Sequence, residues 1–522
     1  MRKRFAIIGA GINGLMAANE LARAGHQVAL FERTKEIGGA ARKSTVQIDG
    51  EMREYPLGAT VFGHMRRFLF ERTGLDRRVT IGASPHPGEY QFLSDTHPIH
   101  PFDSDGLAEM CEVWGETGDV DGFNDGLGSV VQFLGRCYDQ AQVPTLEMAR
   151  TELGAAQVAS FITGDAKSLM DAYLTSEKAK VVFAKGVVES GPVGLTEPWS
   201  ALNLALADTG NVLGDGRWGY VKGGIWQITN ALAAINRELG VEIGVDRHIY
   251  GVDMKKSRLY YIERENGDLS DDECDFDFDH IIFATDPLTA ARMVDRDLEQ
   301  RMKQKRWLGT SGKLIALFRE QVCWKNDRGR PGYDSAQKFL IEAESIEELN
   351  RGSQAVSQGL TDFYPGHYEI YCHGAGNRLL GQNDGGDAVM VFFKHLSDRV
   401  EGSSGPTGPT YTHGTDIIRQ TVTKTLLSRI ANPEALAWTR LLTPKDLTQE
   451  FFFPRGNIEH AMNCEGQTFF SRTYSAEPGK AFYRFGTHEN AWYCGAGSFP
   501  DGSVAGTNGY MCSQEILRSL KL

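Results

Sequence analysis

The chain has 522 residues, 41% of them hydrophobic and 24% charged, and its formal net charge is −13 at pH 7. This length suits two to three domains with a large core, and the composition is that of an ordinary globular enzyme. The acidic balance argues against nucleic acid or an anionic membrane as the main partner, and no apolar run reaches the roughly 18 residues of a transmembrane helix.

The chain opens with a strand, a glycine-rich turn, a helix and a second strand. Residues 5–8 and 28–31 are short apolar runs that predict buried parallel strands, and residues 12–24 predict a helix. Gly9, Gly11 and Gly14 have the spacing G-x-G-x-x-G, and Glu32 follows Gly14 by 18 residues. The strand, helix and acid together predict a dinucleotide-binding βαβ unit.

Each residue of this motif has a physical role. Gly9 permits the tight turn, Gly11 lets the backbone approach a pyrophosphate, and Gly14 lets the helix pack on the strand. The N-terminus of the helix offers unpaired N–H groups to the phosphates, and Glu32 can accept hydrogen bonds from a ribose hydroxyl. Asn13 is a further candidate in the same turn.

A second glycine turn follows Glu32 directly. Gly38 and Gly39, with Arg42 just beyond them, resemble the extended flavin motif of the glutathione-reductase-like flavoproteins, and more narrowly its amine oxidase and phytoene desaturase branch. The resemblance implies that the nucleotide is FAD. It adds these candidate FAD contacts: Arg33, Gly38, Gly39, Ala40, Arg42, Gly58, Ala59 and Thr60, the last three near the flavin ring.

The middle of the chain carries further matches to the family. A glycine turn at 219–224, a helix over 229–239 and a strand over 241–253 resemble the phytoene desaturase pattern, which implies that His248 and Ile249 flank the FAD adenine. The backbone of a strand supplies the donor and the acceptor that adenine requires. Strands are expected over 258–266 and 276–284, with an acidic turn over 267–275, and Ala284 and Thr285 become candidate FAD neighbours.

The C-terminal segment matches the closing FAD segment of the family. A strand, a glycine turn and a last helix imply that the helix N-terminus faces the flavin pyrimidine and stabilises negative charge there. The matching positions are Gly497, Asp501, Gly502, Ser503 and Val504. Asp501 and Ser503 depart from the usual glycine-rich turn, which leaves the subfamily open.

Two blocks, 61–210 and 301–442, carry no nucleotide motif. Helices are expected over 64–74, 161–174, 199–208 and 416–430, strands over 312–318, 368–372 and 388–393, and a turn-rich loop over 401–410. The resemblance implies an α/β fold: a Rossmann-like FAD-binding domain of the glutathione reductase type, built from 1–60, 211–300 and 443–522, with an inserted α+β substrate domain formed by the two blocks.

The arginines after His64 allow two interpretations. Arg66, Arg67, Arg72, Arg77 and Arg78 lie among apolar residues, and a basic amphipathic helix can contact a membrane surface. A solvated charged face explains the same pattern and is favoured.

The spacing of the eight cysteines and the absence of a second nucleotide motif after a strand argue against several other classes of site. The cysteines contain no C-x-x-C pair, so neither a zinc ribbon nor a disulfide reductase is predicted, no metal is expected, and a reducing cytoplasm is the expected location. No second G-x-G-x-x-G follows a strand, so an NAD(P)H domain is not predicted. The sequence leaves the oligomeric state open.

The resemblance predicts an FAD-dependent oxidoreductase. A largely apolar small molecule is expected to lose a hydride to flavin N5 and become desaturated, with electrons passing to dioxygen or a quinone. Candidate catalytic residues are Trp218, Tyr220, Lys222, His460 and Tyr474. Alternatives are a flavin amine oxidase that forms an imine, a redox-neutral FAD-dependent isomerase, and a flavin-bound scaffold protein without turnover.

Overall fold

The computed structural model describes residues 1–214, 216–265, 268–326, 331–359, 363–398 and 412–521. The loop expected over 401–410 lies outside these residues. The strands are β1 Arg4–Ile8, β2 Gln27–Phe31, β3 Lys43–Ile48, β4 Glu51–Pro56, β5 Ile81–Gly82, β6 Glu89–Phe92, β7 Tyr220–Val221, β8 Glu242–Gly244, β9 Arg247–Asp253, β10 Arg258–Glu265, β11 Asp268–Asp277, β12 His280–Phe283, β13 Gly312–Phe318, β14 Lys338–Ile341, β15 His367–Cys372, β16 Ala388–Phe393, β17 Leu436–Leu442 and β18 Ala491–Tyr493.

Helices surround these strands. They are α1 Ile12–Arg23, α2 Arg67–Thr73, α3 Gly106–Trp114, α4 Val120–Asp139, α5 Leu146–Leu153, α6 Ala155–Gln157, α7 Ala166–Tyr173, α8 Glu177–Ala184, α9 Ser200–Leu206, α10 Trp226–Glu238, α11 Pro287–Val294, α12 Arg296–Met302, α13 Ile346–Ser357, α14 His373–Leu379, α15 Thr412–Leu427, α16 Pro444–Phe451 and α17 Thr507–Ser519. Among the described residues, no helix has both the length and the hydropathy needed to cross a bilayer.

Three distant parts of the chain form one parallel sheet of order β18-β12-β1-β2-β8. β1 lies at its centre, where Ala6 is opposite Ala29 of β2 and Ile281 of β12. Helix α1 packs closely on β1, because a Cβ on Gly14 would lie 2.0 Å from the carbonyl oxygen of Gly9. Such a close approach is what the expected packing role of Gly14 requires, and the sheet presents its carboxyl ends on one side.

A separate three-stranded antiparallel sheet has the order β11-β10-β9. The expected strand over 241–253 is divided at Asp246, which has φ 55°, so that β8 joins the parallel sheet and β9 joins this one. The acidic turn expected over 267–275 is wrong, since β11 covers Asp268–Asp277. Arg258 of β10 forms ion pairs with Asp275 and Asp277, and these cross-strand pairs stabilise an acidic strand that composition alone assigned to a turn.

The two blocks without a nucleotide motif meet in a mixed six-stranded sheet of order β17-β13-β16-β15-β14-β6. β6, from the first block, pairs in parallel with β14, from the second, through Phe92 and Ile341. The sheet has its own core, with Leu314, Phe318 and Phe393 fully buried, and the expected strands over 312–318, 368–372 and 388–393 are confirmed.

Most expected helices are present with shifted ends. The helix expected over 64–74 begins at Arg67 and ends at Thr73, where Gly74 adopts φ 86°. The helix expected over 161–174 is divided into a π-helical turn, Val158–Ile162, and α7. Three of the five arginines form ion pairs: Arg66 with Asp139, Arg72 with Glu20 and Arg78 with Glu238. These pairs favour the charged-face interpretation of that segment.

Candidate functional site

A cavity of about 970 Å³ extends from the carboxyl ends of the parallel sheet to the six-stranded sheet. Ile8 and Phe31, the last residues of β1 and β2, line one end, and Phe339 of β14 and Phe392 of β16 line the other. A crevice beyond the strand ends of a parallel sheet is the usual position of a nucleotide. The cavity therefore joins the predicted nucleotide site to the block predicted to bind substrate.

The first glycine turn forms the floor of the nucleotide end. Gly9 has φ 105°, and a Cβ there would lie 3.0 Å from the carbonyl oxygen of Ala284, so only glycine fits without strain. Gly11 is the N-cap of α1 and supplies no side-chain cap, so the first N–H groups of this helix remain available to an anion. Gly38 and Gly39, with φ 114° and 57°, bring the second turn beside the first.

Glu32 stands at the edge of this end with both carboxylate oxygens engaged. Oε2 accepts from the backbone N–H of Ala10 at 2.9 Å, and Oε1 accepts from the N–H of Thr34 at 2.9 Å. Each carboxylate oxygen can accept a second hydrogen bond. Oε1 also lies 3.0 Å from the hydroxyl of Thr34, so the second acceptor position of Oε2 is the one left for a ribose hydroxyl.

Helix α16 and the residues that follow it form another wall of the nucleotide end of the cavity. Arg42 donates to the carbonyl oxygen of Glu450, and its guanidinium lies over the ring of Phe451. Arg33 stacks on Phe452, with 3.2 Å between the guanidinium carbon and the ring centroid. The Nε of Arg42 is buried and has no hydrogen-bond partner among the residues that the structure describes. These arginines supply positive charge along the groove.

The edge strand β9 borders the same end. His248 and Ile249 line the cavity, together with Ala284 and Thr285, which follow β12. β9 pairs only with β10 inside its sheet, so one backbone edge of it faces away from the sheet. The residues predicted to bind adenine are thus brought beside Glu32, although they are more than 200 positions away in sequence.

At the middle of the cavity a buried lysine contacts the segment that ends in Gly58, Ala59 and Thr60, the residues predicted to lie near the flavin ring. Lys313 of β13 is 5% exposed, and its Nζ donates to the carbonyl oxygens of Pro56 at 2.9 Å, Leu57 at 3.2 Å and Gly58 at 2.5 Å, and to Thr60 Oγ1 at 2.9 Å. Burial lowers the pKa of Lys313 to about 7. Sequence reasoning missed this residue, but a lysine within an otherwise apolar strand was the available signal.

The C-terminal turn borders the cavity with three of its five predicted residues. Asp501, Ser503 and Val504 line it, whereas Gly497 and Gly502 lie behind them. The N–H of Gly502 donates to Glu459 Oε2 at 2.7 Å, and Gly497 accepts from the hydroxyl of Tyr474. The two glycines therefore shape the turn.

Two of the five candidate catalytic residues reach the cavity. Trp218 and His460 line it, and burial together with the charge of Arg472 lowers the pKa of His460 to about 3. Tyr220, Lys222 and Tyr474 do not line it. Tyr220 donates to the carbonyl oxygen of Ser335, Tyr474 donates to that of Gly497, and Lys222 is exposed. Their positions indicate packing or solvent contact.

The far end of the cavity carries a charged cluster that the sequence did not indicate. Possible ligand atoms of Glu189, His367 and Glu369 lie within 4.8 Å of one another, but Lys394 Nζ is 2.9 Å from Glu189 and Lys185 Nζ is 3.9 Å from Glu369. Burial opposes the ionisation of Glu369, yet Lys185 and His367 outweigh it and hold its pKa below the usual range. The two ammonium groups offset the charge that would attract a metal ion.

Taken together, the structure gathers most predicted cofactor residues around one cavity. Those that line it are Gly9, Gly11, Asn13, Glu32, Arg33, Gly38, Gly39, Ala40, Arg42, Gly58, Ala59, Thr60, His248, Ile249, Ala284, Thr285, Asp501, Ser503 and Val504. Gly14 lies under the turn. Within the described part of the chain, the side-chain oxygen of Asn13 is buried without a hydrogen-bond partner, as expected of a group that a ligand contacts.

Residues 12–369 match the family model of flavin-containing amine oxidoreductases. The 4,4'-diapophytoene desaturase (4,4'-diaponeurosporene-forming) of Staphylococcus haemolyticus is 24% identical over 282 residues, which cover 51% of this chain and 52% of that protein. The enzyme of the same name from Staphylococcus aureus strain Newman is 26% identical over 283 residues, 51% of this chain and 53% of the relative. The chain thus spans about half the length of these relatives.

Solved structures share the fold over the whole chain. Cyclohexylamine oxidase from Brevibacterium oxydans IH-35A superimposes with a TM-score of 0.56 at 13% identity, covering 100% of both chains. Putrescine oxidase bound to putrescine gives a TM-score of 0.56 at 14% identity, covering 100% of this chain and 99% of the other. At this identity the similarity concerns the fold, a mixed α/β architecture.

Proposed function

Because this chain belongs to the family of flavin-containing amine oxidoreductases, we propose that it is an FAD-dependent oxidoreductase that dehydrogenates a small, largely apolar organic molecule. The prediction of FAD as the cofactor is confirmed at the level of the family. When bound, the flavin supplies a two-electron acceptor for a substrate hydride. The observation that carries the proposal is the continuity of one cavity from the glycine turns to an aromatic far wall.

The residues of the nucleotide end fit FAD. Gly9 and Gly11 leave the space that side chains would fill, and the uncapped N-terminus of α1 would hold the pyrophosphate. Glu32 would hold the adenosine ribose, and the backbone of His248 and Ile249 the adenine. Gly58 to Thr60, braced by Lys313, would border the ring, and the turn at Ser503 and Val504 would close over it.

The proposal extends to the domain organisation. The parallel sheet would belong to a glutathione-reductase-type FAD-binding domain composed of 1–60, 211–300 and 443–522. The six-stranded sheet and the helices of the first block would form the substrate domain, composed of 61–210 and 301–442. The pairing of β6 with β14 supports one substrate domain, because it joins both blocks in a single sheet.

The far part of the cavity suits a flat or elongated substrate. Trp218, Phe339, Tyr371 and Phe392 line it, and aromatic walls with a few polar groups are typical of sites for small organic ligands. Electrons would pass from the reduced cofactor to dioxygen or a quinone, since the further G-x-G-x-x-G spacing at Gly214, Gly216 and Gly219 follows no strand among the described residues and the cysteines include no C-x-x-C pair.

Amine oxidation to an imine is a second candidate function. The observation that favours it is the pair of carboxyl groups of Glu459 and Asp501, which line the same cavity and can accept hydrogen bonds from the N–H groups of an amine. A desaturase would act on a hydrocarbon, for which these groups offer no partner.

An anaerobic screen of the purified holoenzyme tests the proposal. Hydrocarbons, alcohols and amines are added in turn, and loss of the oxidised flavin absorbance reports oxidation. Trp218→Ala should slow bleaching, whereas the exposed control Lys424→Met should not. Release of ammonia or amine would identify amine oxidation. Full FAD content with no bleaching by any class would contradict the dehydrogenase proposal and favour a scaffold, and substrate conversion without bleaching would favour the isomerase.

A further inference from the structure

Asp501 is a buried carboxyl group that faces the cavity and has no hydrogen-bond donor among the described residues. It is 4% exposed, and its nearest basic neighbour is His64, whose Nε2 lies 3.6 Å from Asp501 Oδ1. A buried carboxyl group without a partner is costly unless it stays neutral or serves a ligand. Asp501 is also one of the two positions where the C-terminal turn departs from the usual family pattern, so the turn carries an acid where glycine-rich sequence is expected.

A second carboxyl group, that of Glu459, lies beside this turn and holds it in place. Glu459 Oε2 accepts from the N–H of Gly502 at 2.7 Å, and a Cβ on Gly502 would lie 2.9 Å from Glu459 Cα. Glu459 is 8% exposed and also lines the cavity. The glycine therefore permits the close approach that places the carboxyl groups of Glu459 and Asp501 next to each other.

The groups packed around this pair do not neutralise it. Arg472 donates to carbonyl oxygens, including those of Glu459 at 2.7 Å and Ser498 at 3.1 Å, and to the side chain of Asn463. Its charge acts on the pair from a distance, without a direct hydrogen bond to either carboxylate. His64 Nε2 lies 3.2 Å from Thr209 Oγ1, and its buried Nδ1 has no hydrogen-bond partner in the described segments.

The proton states follow from these surroundings. Burial lowers the pKa of His64 to about 4, so the imidazole is neutral at neutral pH. Burial, opposed by Arg472, raises the pKa of Asp501 to about 7. Burial and then the charge of Asp501 raise the pKa of Glu459, and burial and then Asp501 raise that of Tyr138. Asp501 is thus the group of this cluster whose pKa lies at about 7, close to neutral pH.

We propose that Asp501, supported by Glu459, is the proton acceptor for a substrate that carries an N–H or O–H group on the carbon to be oxidised. This inference rests on the proposed function. The C–H bond breaks, and its hydrogen would leave as hydride, with two electrons, to the oxidised flavin of the proposed function. The electron pair of the N–H or O–H bond becomes the second bond of C=N or C=O, and the proton ends on the carboxylate of Asp501. Atoms and electrons balance with the flavin as the hydride acceptor, and a hydrocarbon provides no such proton.

Proton uptake by the holoenzyme tests the assignment without any substrate. The flavin is reduced anaerobically with dithionite in weak buffer that contains a pH indicator, and protons are counted per two electrons. Negative charge gained by the cofactor should raise the pKa of an adjacent carboxylate, so above about pH 7 the wild type should take up about one proton more than Asp501→Asn. Below about pH 6 the difference should disappear, because Asp501 is already protonated.

Glu342→Gln is the matched control. Burial also raises the pKa of Glu342, but this residue does not line the cavity, so its removal should leave the uptake at the wild-type value. Equal uptake by the wild type and Asp501→Asn at about pH 8 would overturn the assignment.

If Asp501→Asn does not fold, the oxidised wild-type flavin spectrum decides. Because the pKa of Lys313 is also about 7, the expected result is a spectral transition near pH 7 that persists in Lys313→Met, and its absence there overturns the proposal. A preparation without flavin would instead defeat the proposed function itself, and that outcome is visible before any titration.

Three matched probes identify the donor group. Binding of cyclohexylamine, cyclohexanol and cyclohexane is read from the flavin difference spectrum at about pH 8. Tighter binding of cyclohexylamine to the wild type than to Asp501→Asn identifies an amine, and the same result with cyclohexanol identifies a hydroxyl group. Cyclohexane should not distinguish the two proteins. If neither polar probe binds the wild type more tightly than Asp501→Asn, the substrate assignment is wrong.

Discussion

Lys313 Nζ donates to Thr60 Oγ1 at 2.9 Å, and this bond joins the six-stranded sheet directly to the segment expected beside the flavin ring. The two residues are 253 positions apart in sequence. The lysine also donates to three consecutive backbone carbonyls, so it holds residues 56–58 in a fixed conformation. The wall of the proposed substrate site thus supports the wall of the proposed cofactor site.

Replacement of this lysine should change how stability depends on pH. The pKa of Lys313 falls from its ordinary 10.5 to about 7 on folding, so between these values the unfolded chain holds a proton that the folded chain has released. Stability should therefore rise with pH in that window, with a contribution of about 1.4 kcal/mol per pH unit. Lys313→Met should remove this contribution from the slope measured by urea unfolding, and the exposed control Lys424→Met should retain it. Identical slopes for Lys313→Met and the wild type would contradict the prediction.

Two glycines of the first turn should respond differently to alanine. A Cβ on Gly14 would lie 2.0 Å from the carbonyl oxygen of Gly9, whereas the nearest atom to a Cβ on Gly11 is Gly39 Cα at 4.0 Å. Gly14→Ala should lower the thermal stability of the apoprotein, by several kcal/mol if α1 must move. Gly11→Ala should fold normally but lose FAD, because its methyl group would occupy the path of the pyrophosphate. The thermal stability and the FAD content of both variants are measured. Full FAD retention by Gly11→Ala would contradict the proposed pyrophosphate site.

Glu32 should contribute to FAD retention through the acceptor position that its Oε2 leaves free. Glu32→Ala removes a charged acceptor for the ribose, and we expect FAD binding to weaken by about 1.5–3 kcal/mol. This corresponds to roughly a 10- to 150-fold rise in Kd, measurable by equilibrium dialysis. Glu36→Ala, an exposed neighbour, is the control. Unchanged affinity in Glu32→Ala would remove Glu32 from the site.

Alanine variants of Trp218 and Tyr220 should distinguish a residue that contacts substrate from a residue that packs in the core. Trp218 lines the cavity, and its Nε1 donates to the carbonyl oxygen of Ala207 at 3.2 Å. Trp218→Ala should slow substrate-driven flavin reduction while FAD content stays full. Tyr220 is buried and its hydroxyl donates to Ser335, so Tyr220→Ala should lower stability, by about 3–5 kcal/mol for the loss of a large buried ring. Loss of FAD from Trp218→Ala would show that the tryptophan is a packing residue.

Nicotinamide nucleotides should not reduce the flavin efficiently. The sequence contains one G-x-G-x-x-G after a strand, and that motif occupies the turn between β1 and α1. Anaerobic stopped-flow mixing with NADH and NADPH should give slow bleaching compared with dithionite. Rapid bleaching by either nucleotide would refute the expectation and would require a second nucleotide site.

Local sequence patterns determined the first βαβ unit and most of the individual strands and helices. Gly9, Gly11, Gly14 and Glu32 could be identified because their spacing reflects a turn whose geometry is set within about 30 residues of chain. The family resemblance added His248 and the C-terminal turn. Element ends were less certain, and β11 was missed because an acidic run resembles a turn until its cross-strand partner Arg258 is known.

Tertiary structure alone decided which polar side chains share the cavity. Lys313, Glu459 and Asp501 come from distant segments, and Tyr220 differs from Trp218 by only two positions yet points into the core. Local propensity carries no information on such long-range proximity, since the burial of a side chain depends on the sheet that packs against it. The same burial sets the charges of the site, because desolvation brings the pKa of Lys313 and that of Asp501 to about 7 from opposite directions.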